Sequence, residues 1–166
     1  TLPYTTLFRS KISTLKSCEH LGKRYLNDLL HVQNVKLYAS LIFLQLAKVH
    51  QLTSKDLLIL ESAAILHDIG KYVNLRDHHK NSYDLINNSS IFGLSEDDKK
   101  KIAILSYFHS KKEPSIDHRF FATYNDSEKI KIIKLIAILK VADSLDRSHK
   151  QQVKDIIIKI DNSNMI

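Results

Sequence analysis

Residues 63–86 read AAILHDIGKYVNLRDHHKNSYDLI. The stretch opens as an apolar helix, then sets His67 beside Asp68, adds Gly70 and Lys71, and brings His78 and His79 after a short polar passage. A carboxylate on a greasy helix is costly to bury unless it is paired, and a metal ion is one of the few partners strong enough to compensate. Successive helical residues project about 100° apart, so an imidazole nitrogen and a carboxylate oxygen at adjacent positions can reach one ion. Such an ion needs further ligands from other helices.

The chain supplies those helices. Its 166 residues are enough for one domain with a real core, and 43% hydrophobic residues with only 3 Gly and 2 Pro favour an all-α fold. A weak amphipathic segment is expected over residues 11–25. In NDLLHVQNVKLYASLIFLQLAKVH, residues 27–50, Leu30, Val35, Leu37, Leu41, Leu44 and Ala47 recur at spacings near three and four and predict a buried stripe. Thr53-x-x-Asp56, Ser95-x-x-Asp98 and Asn125-x-x-Glu128 read as capping boxes ahead of three further helices, in which a side-chain oxygen satisfies an orphan N–H. Gly70 is a stop signal, and Pro114 lies soon after the helix opened by Ser95 should end. KIIKLIAILKVADSLDRSHK, residues 131–150, is apolar on almost every side and predicts a central helix. From Val153 the β-branched run VKDIIIKID predicts a strand whose partner lies beyond this sequence.

The ends carry their own expectations. TLPYTTLFRS, residues 1–10, reads like a translated sequencing adapter and is set aside, leaving a helical domain over 11–152 and the beginning of a β segment over 153–166. On this reading the chain is a fragment at both ends. Its single cysteine, Cys18, excludes an internal disulfide framework, suits a reducing compartment such as the cytoplasm, and reads as a packing residue. No apolar run approaches the roughly 18 residues of a membrane span. The formal charge of +7 favours a polyanionic partner. Nucleic acid has only that charge behind it, since no recognition motif accompanies it.

His31, near the start of the second helix, and Asp143, in LKVADSLDRSH, are each flanked by apolar residues and complete a ligand set of His31, His67, Asp68 and Asp143. Mixed nitrogen and oxygen donors suit manganese, magnesium, iron or zinc. Lys71, one turn beyond His67, and Arg147 and Lys150, beyond Asp143, are expected to flank the same pocket and neutralise phosphate oxygens, with Asp68 and Lys71 as the catalytic residues. Plainer readings stand beside these. His67-Asp68 also reads as a buried hydrogen-bonded pair, Asp143 as a partner of Arg147, and Asp146 with Lys150 as a surface salt bridge. Lys99, Lys100 and Lys101 read as a solvated helix start, and Lys111 and Lys112 as part of a polyanion track.

The order H…HD…D resembles the HD superfamily of metal-dependent phosphohydrolases. HDIGKYVNLRDHHKNSYDLI, SYFHSKKEP and AILKVADSLDRSHKQQVKDIIIKI together resemble the C-terminal HD-type region of the exopolyphosphatase and guanosine pentaphosphate phosphohydrolase family, from about residue 18 onward. The resemblance implies an HD-type helical bundle, a divalent metal, polyphosphate or (p)ppGpp as substrate, and a homodimer. It implies that His78, His79 and His109 add a second metal or donate hydrogen bonds to phosphate. It also implies N-terminal actin-like domains that carry the polyphosphate-cleaving chemistry, which this sequence does not include. Two functions follow: a working metal-dependent phosphohydrolase, or an accessory module that binds polyphosphate or (p)ppGpp and supports dimerisation.

Overall fold

The computed structural model describes residues 3–110 and 113–160. Within them the fold is all-α: α1 (Pro3–Arg24), α2 (Leu29–Gln45), the single turn α3 (Ala47–His50), α4 (Ser54–Leu66), α5 (His78–Asn87), α6 (Glu96–Phe108) and α7 (Asp126–Leu145), with 3₁₀ turns at Ile69–Tyr72 and Arg119–Phe121. None of these helices is long and apolar enough to cross a membrane.

α4 is the central helix, packed by α1, α2, α6 and α7. Every residue from Ile59 to Leu66 is buried. Glu61 tolerates that position because its carboxylate takes an ion pair from Lys11 at 2.9 Å and a hydrogen bond from Ser40 Oγ at 3.1 Å. α7, expected to be central, is instead peripheral: Ile132, Leu135, Ile136, Ile138, Leu139 and Ala142 face the core while Ile130 and Val141 are about half exposed. Most of the stripe expected on α2 lies on the other side, Val35 being its fully buried member. Its buried face is His31, Val32, Val35, Tyr38, Ala39, Ile42 and Phe43, whereas Leu30, Leu37 and Leu44 are exposed. The helix carries apolar residues on both sides, so periodicity alone selects no face.

The capping boxes at Thr53–Asp56 and Ser95–Asp98 form reciprocally. At the third, Asn125 caps Glu128 N, but the Glu128 carboxylate turns to Lys101 at 2.6 Å and Lys131 at 2.7 Å. The lysine run in the first turns of α6 is correspondingly engaged: Lys99 pairs with Glu96, Lys101 with Asp97 and Glu128, and Lys100 donates to Thr123 Oγ1. Lys111 and Lys112 lie outside the described residues.

α4 stops at the HD pair, and Gly70 holds the following 3₁₀ turn against α5. A Cβ on Gly70 would collide with the His78 carbonyl and the Ser82 amide, and would come within 2.8 Å of Asn81 Cβ. Ser82, fully buried, joins the two segments: its Oγ accepts from Gly70 N at 2.9 Å and donates to the His67 carbonyl at 2.7 Å.

After α7 the chain turns through His149 and Gln151, both with left-handed φ. Residues 153–160, expected to begin a strand, form no strand ladder among the described residues. They lie on α2, where Tyr38 Oη donates to the Val153 carbonyl at 2.7 Å and the Gln45 side chain donates to the Ile156 carbonyl at 2.7 Å and accepts from Ile158 N at 2.8 Å. Side chains of a helix thus take the place of the missing neighbour strand. The rest of the expected β segment, residues 161–166, lies outside the described residues.

Candidate metal centre

Four helix ends meet at one place. The start of α2 brings His31, the end of α4 brings His67 and Asp68, the end of α6 brings His109, and the end of α7 brings Asp143 and Asp146. Three of those ends are C-terminal, where the helix dipole is negative and favours a cation.

The imidazoles are aimed by their own helices. His67 and His109 cap α4 and α6 and place Nδ1 on the carbonyl three residues back, Ala64 at 2.8 Å and Ser106 at 2.6 Å. A carbonyl only accepts, so each Nδ1 carries a proton and each Nε2 faces the centre. His31 Nδ1 is fixed 3.1 Å from Asp146 Oδ2, which again turns Nε2 inward. Nitrogen held this way by a carbonyl or carboxylate is the arrangement that orients histidine ligands on metals.

The inward atoms converge. His31 Nε2 lies 3.3 Å from Asp143 Oδ1 and 3.8 Å from Asp68 Oδ2; His67 Nε2 lies 3.4 Å from Asp68 Oδ2 and 3.5 Å from Asp143 Oδ1. On the other side of the same carboxylate, Asp68 Oδ1 is 3.5 Å from His109 Nε2 and 3.7 Å from His78 Nε2, and those two nitrogens are 3.3 Å apart. Three overlapping triads, His31–His67–Asp143, His67–Asp68–His109 and His31–Asp68–His149, each hold ligand atoms within 4.8 Å of one another. Nε2 of His31 and of His67 is buried with no hydrogen bond of acceptable geometry. Buried nitrogens that face carboxylate oxygens without bonding them fit a shared cation.

The electrostatics point the same way. Burial works to raise the Asp68 and Asp143 carboxyls, but His67 and its neighbouring imidazoles hold both well below the usual carboxylate range. Burial likewise works against charge on His67, yet Asp68 and Asp143 raise it to about 10. Burial lowers His109, which keeps its imidazole neutral. The Lys71 ammonium contacts Asp68 Oδ2 directly. The pocket therefore draws positive charge onto its carboxylates from a proton and a lysine.

The sequence-predicted residues divide clearly. His31, His67, Asp68 and Asp143 meet, and His78, His109 and Lys71 join them. His79 turns away to pack edge-on against Tyr107, ring centroids 5.3 Å apart. Arg147 and Lys150 are exposed and form no part of the adjoining cleft of about 290 Å³, which His31, Asp68 and Lys71 do line. Asp146 is not in a surface bridge with Lys150: it is 1% exposed and holds both His31 and the backbone N–H of Gln151, at 2.8 Å. Two contributors have no signal in the spacing. His149 stacks on His31 with centroids 3.8 Å apart and an interplanar angle of 15°, and its Nδ1 is 2.7 Å from Asp28 Oδ2. Asp28 in turn caps α2 at His31 N.

A comparison with individually curated proteins returns no match. A family profile described as Ppx/GppA phosphatase, domain III matches residues 14–165, from the middle of α1 through the segment that lies on α2. The match takes in every residue of the converging cluster, and the chain belongs to the Ppx/GppA phosphatase domain III family.

Proposed function

We propose that this domain is an HD-type, metal-dependent phosphohydrolase centre within a Ppx/GppA-type protein, acting on phosphate esters or anhydrides. The family acts on polyphosphate and ppGpp substrates. The observation that carries the proposal is the set of three imidazoles with anchored Nδ1 atoms and inward Nε2 atoms around Asp68 and Asp143.

His31, His67, Asp68 and Asp143 would hold a first divalent ion, and Asp68 Oδ1 with His109 and His78 a second. Bound there, manganese, magnesium, iron or zinc supplies Lewis acidity that makes water nucleophilic near neutral pH. The chain's own residues do the rest. Asp146 and the Ala64 and Ser106 carbonyls keep the ligand rings oriented, so little reorganisation accompanies reaction. Lys71, which lines the cleft, leaves Asp68 for a phosphoryl oxygen and offsets the charge that develops there. Arg147 and Lys150, out on the surface, are left the role of drawing polyanions toward the cleft.

The test is metal content by mass spectrometry of the purified chain beside His67→Ala and Asp68→Ala, followed by a screen for phosphate release. Near-stoichiometric metal lost in both variants, with release from any phosphate ester or anhydride, is the expected result. Metal uptake in none of the three sinks the proposal and favours the accessory reading, in which the domain binds polyphosphate or (p)ppGpp and supports a homodimer. The observation on the side of that reading is the match to one numbered domain of a larger phosphatase.

A further inference from the structure

The turn after α7 is held more tightly than a surface turn requires. His149 and Gln151 sit at φ of 56° and 49°, in the left-handed region that side chains other than glycine and asparagine adopt at a conformational cost. Asp146 fixes the turn through two groups: its carbonyl accepts from His149 N at 2.8 Å and its carboxylate from Gln151 N at 2.8 Å. The Gln151 side-chain amide then donates to the His149 carbonyl at 2.7 Å. Strain that neighbouring groups over-determine in this way points to a side chain that has to stand in one place.

That side chain is the His149 imidazole. Asp28 anchors it, with Oδ2 2.7 Å from Nδ1, while Oδ1 of the same carboxylate accepts from His31 N at the start of α2. A carboxylate only accepts, so Nδ1 donates and Nε2 is the nitrogen left for a ligand. The side chain is 35% exposed and lines the cleft together with Asp68 and Lys71. One nitrogen of His149, one of His31 and one oxygen of Asp68 lie within 4.8 Å of one another.

The ring geometry decides what His149 does there. It stacks on His31 with centroids 3.8 Å apart and planes only 15° from parallel. An imidazole ligates an ion in its own ring plane, and two nearly parallel planes at that separation meet only far outside the site. His149 and His31 therefore do not share one ion in this arrangement. A group seated beside the ion, on the cleft side, is within reach of both His149 and Lys71, which contacts Asp68 directly.

Resting on the phosphohydrolase reading above, we infer that His149 is a substrate-binding residue: its Nε2 donates a hydrogen bond to a phosphoryl oxygen seated between it and Lys71, and Asp28 is the residue that positions it. Asp28 and the phosphoryl oxygen both only accept, so the bound ring carries a proton on each nitrogen and adds a second positive charge beside the Lys71 ammonium. The group recognised is the tetrahedral phosphoryl unit itself, common to esters and anhydrides.

The experiment is calorimetric titration of the manganese-saturated chain with methylphosphonate, a hydrolysis-inert phosphoryl analogue, beside titration of the chelator-treated chain with manganese. His149→Ala is expected to weaken methylphosphonate binding about tenfold or more, the usual effect of losing a charge-assisted hydrogen bond, and to leave manganese affinity unchanged. Asp28→Asn keeps a good cap on α2 and is expected to follow the same pattern, because an amide no longer anchors the ring through a charge. Methylphosphonate affinity untouched by His149→Ala overturns the inference. A fall in manganese affinity that accounts for the whole loss also overturns it, since His149 would then act only by bracing His31. A parent chain that takes up no manganese sinks the phosphohydrolase reading. Methylphosphonate titrated against that metal-free chain then decides the phosphoryl contact by itself, which stands if binding depends on His149 and falls if it does not.

Discussion

The carboxylate of Asp146 lies 3.1 Å from His31 Nδ1, and both side chains are 1% exposed. This contact ties the end of α7 to the start of α2 and fixes which His31 nitrogen faces Asp68 and Asp143. Carboxylates that orient ligand imidazoles typically contribute 10–100-fold to metal affinity, about the same as expected here. Asp146→Asn is therefore predicted to weaken manganese binding about 10–100-fold while the helical content stays unchanged. Calorimetric titration beside circular dichroism checks it, and unchanged affinity would mean that α2 alone orients His31.

A metal that binds the folded chain and not the unfolded one stabilises it by mass action, about 2.7 kcal/mol at a free ion concentration 100 times the dissociation constant. Adding manganese to the chelator-treated chain is predicted to raise the melting temperature by several degrees. His67→Ala, which removes a nitrogen from two of the three triads, is predicted to abolish the rise. A shift of equal size in the variant would place the stabilising ion elsewhere.

Much of this centre is legible in the sequence for a simple physical reason. His67 and Asp68 interrupt an apolar run, and burial without a partner would be too costly, so the pair announces a partner. Thr53 and Ser95 are equally plain, because a capping box is local and its hydrogen bonds span only three residues. Asp146 and His149 are not legible. Their places depend on left-handed turns at His149 and Gln151, where no glycine marks the reversal. The α2 face is ambiguous because Leu30, Leu37 and Leu44 repeat every seven residues as regularly as the buried set. The run after Val153 has strand composition, yet strand preference reflects neighbours to pack against, and Tyr38 and Gln45 supply them from a helix.

Gly70 offers a mechanical test of how the HD turn is held. Any side chain there meets the backbone of α5 at His78 and Ser82, and neither carbonyl nor amide can move without shifting the helix. Gly70→Ala is predicted to destabilise the chain by about 1–3 kcal/mol. Ser82→Ala removes the hydroxyl that serves both Gly70 N and the His67 carbonyl and is predicted to cost about 1–3 kcal/mol through unsatisfied buried groups. Urea melts measure both. A Gly70→Ala variant as stable as the parent would mean that α5 docks loosely.

Glu128 gives a pH signature remote from the metal centre. Hydrogen bonds from Lys101 and Lys131 hold its carboxyl down at about 2, below the ordinary value of 4.5. A depressed folded-state value means that the unfolded chain binds the proton more readily, so the contribution is present above pH 4.5 and is lost as pH falls through about 2. Its side chain is 27% exposed and Lys101 only 12%, so the pair is partly shielded from solvent. Glu128→Gln is predicted to destabilise the chain by about 1 kcal/mol at pH 7, the upper end for pairs near the surface. The difference from the parent should shrink steadily in urea melts between pH 4.5 and pH 2, because protonation of the parent carboxyl removes the same charge that the substitution removes. A gap independent of pH would assign the effect to packing of the glutamate stem against Lys101 rather than to its charge.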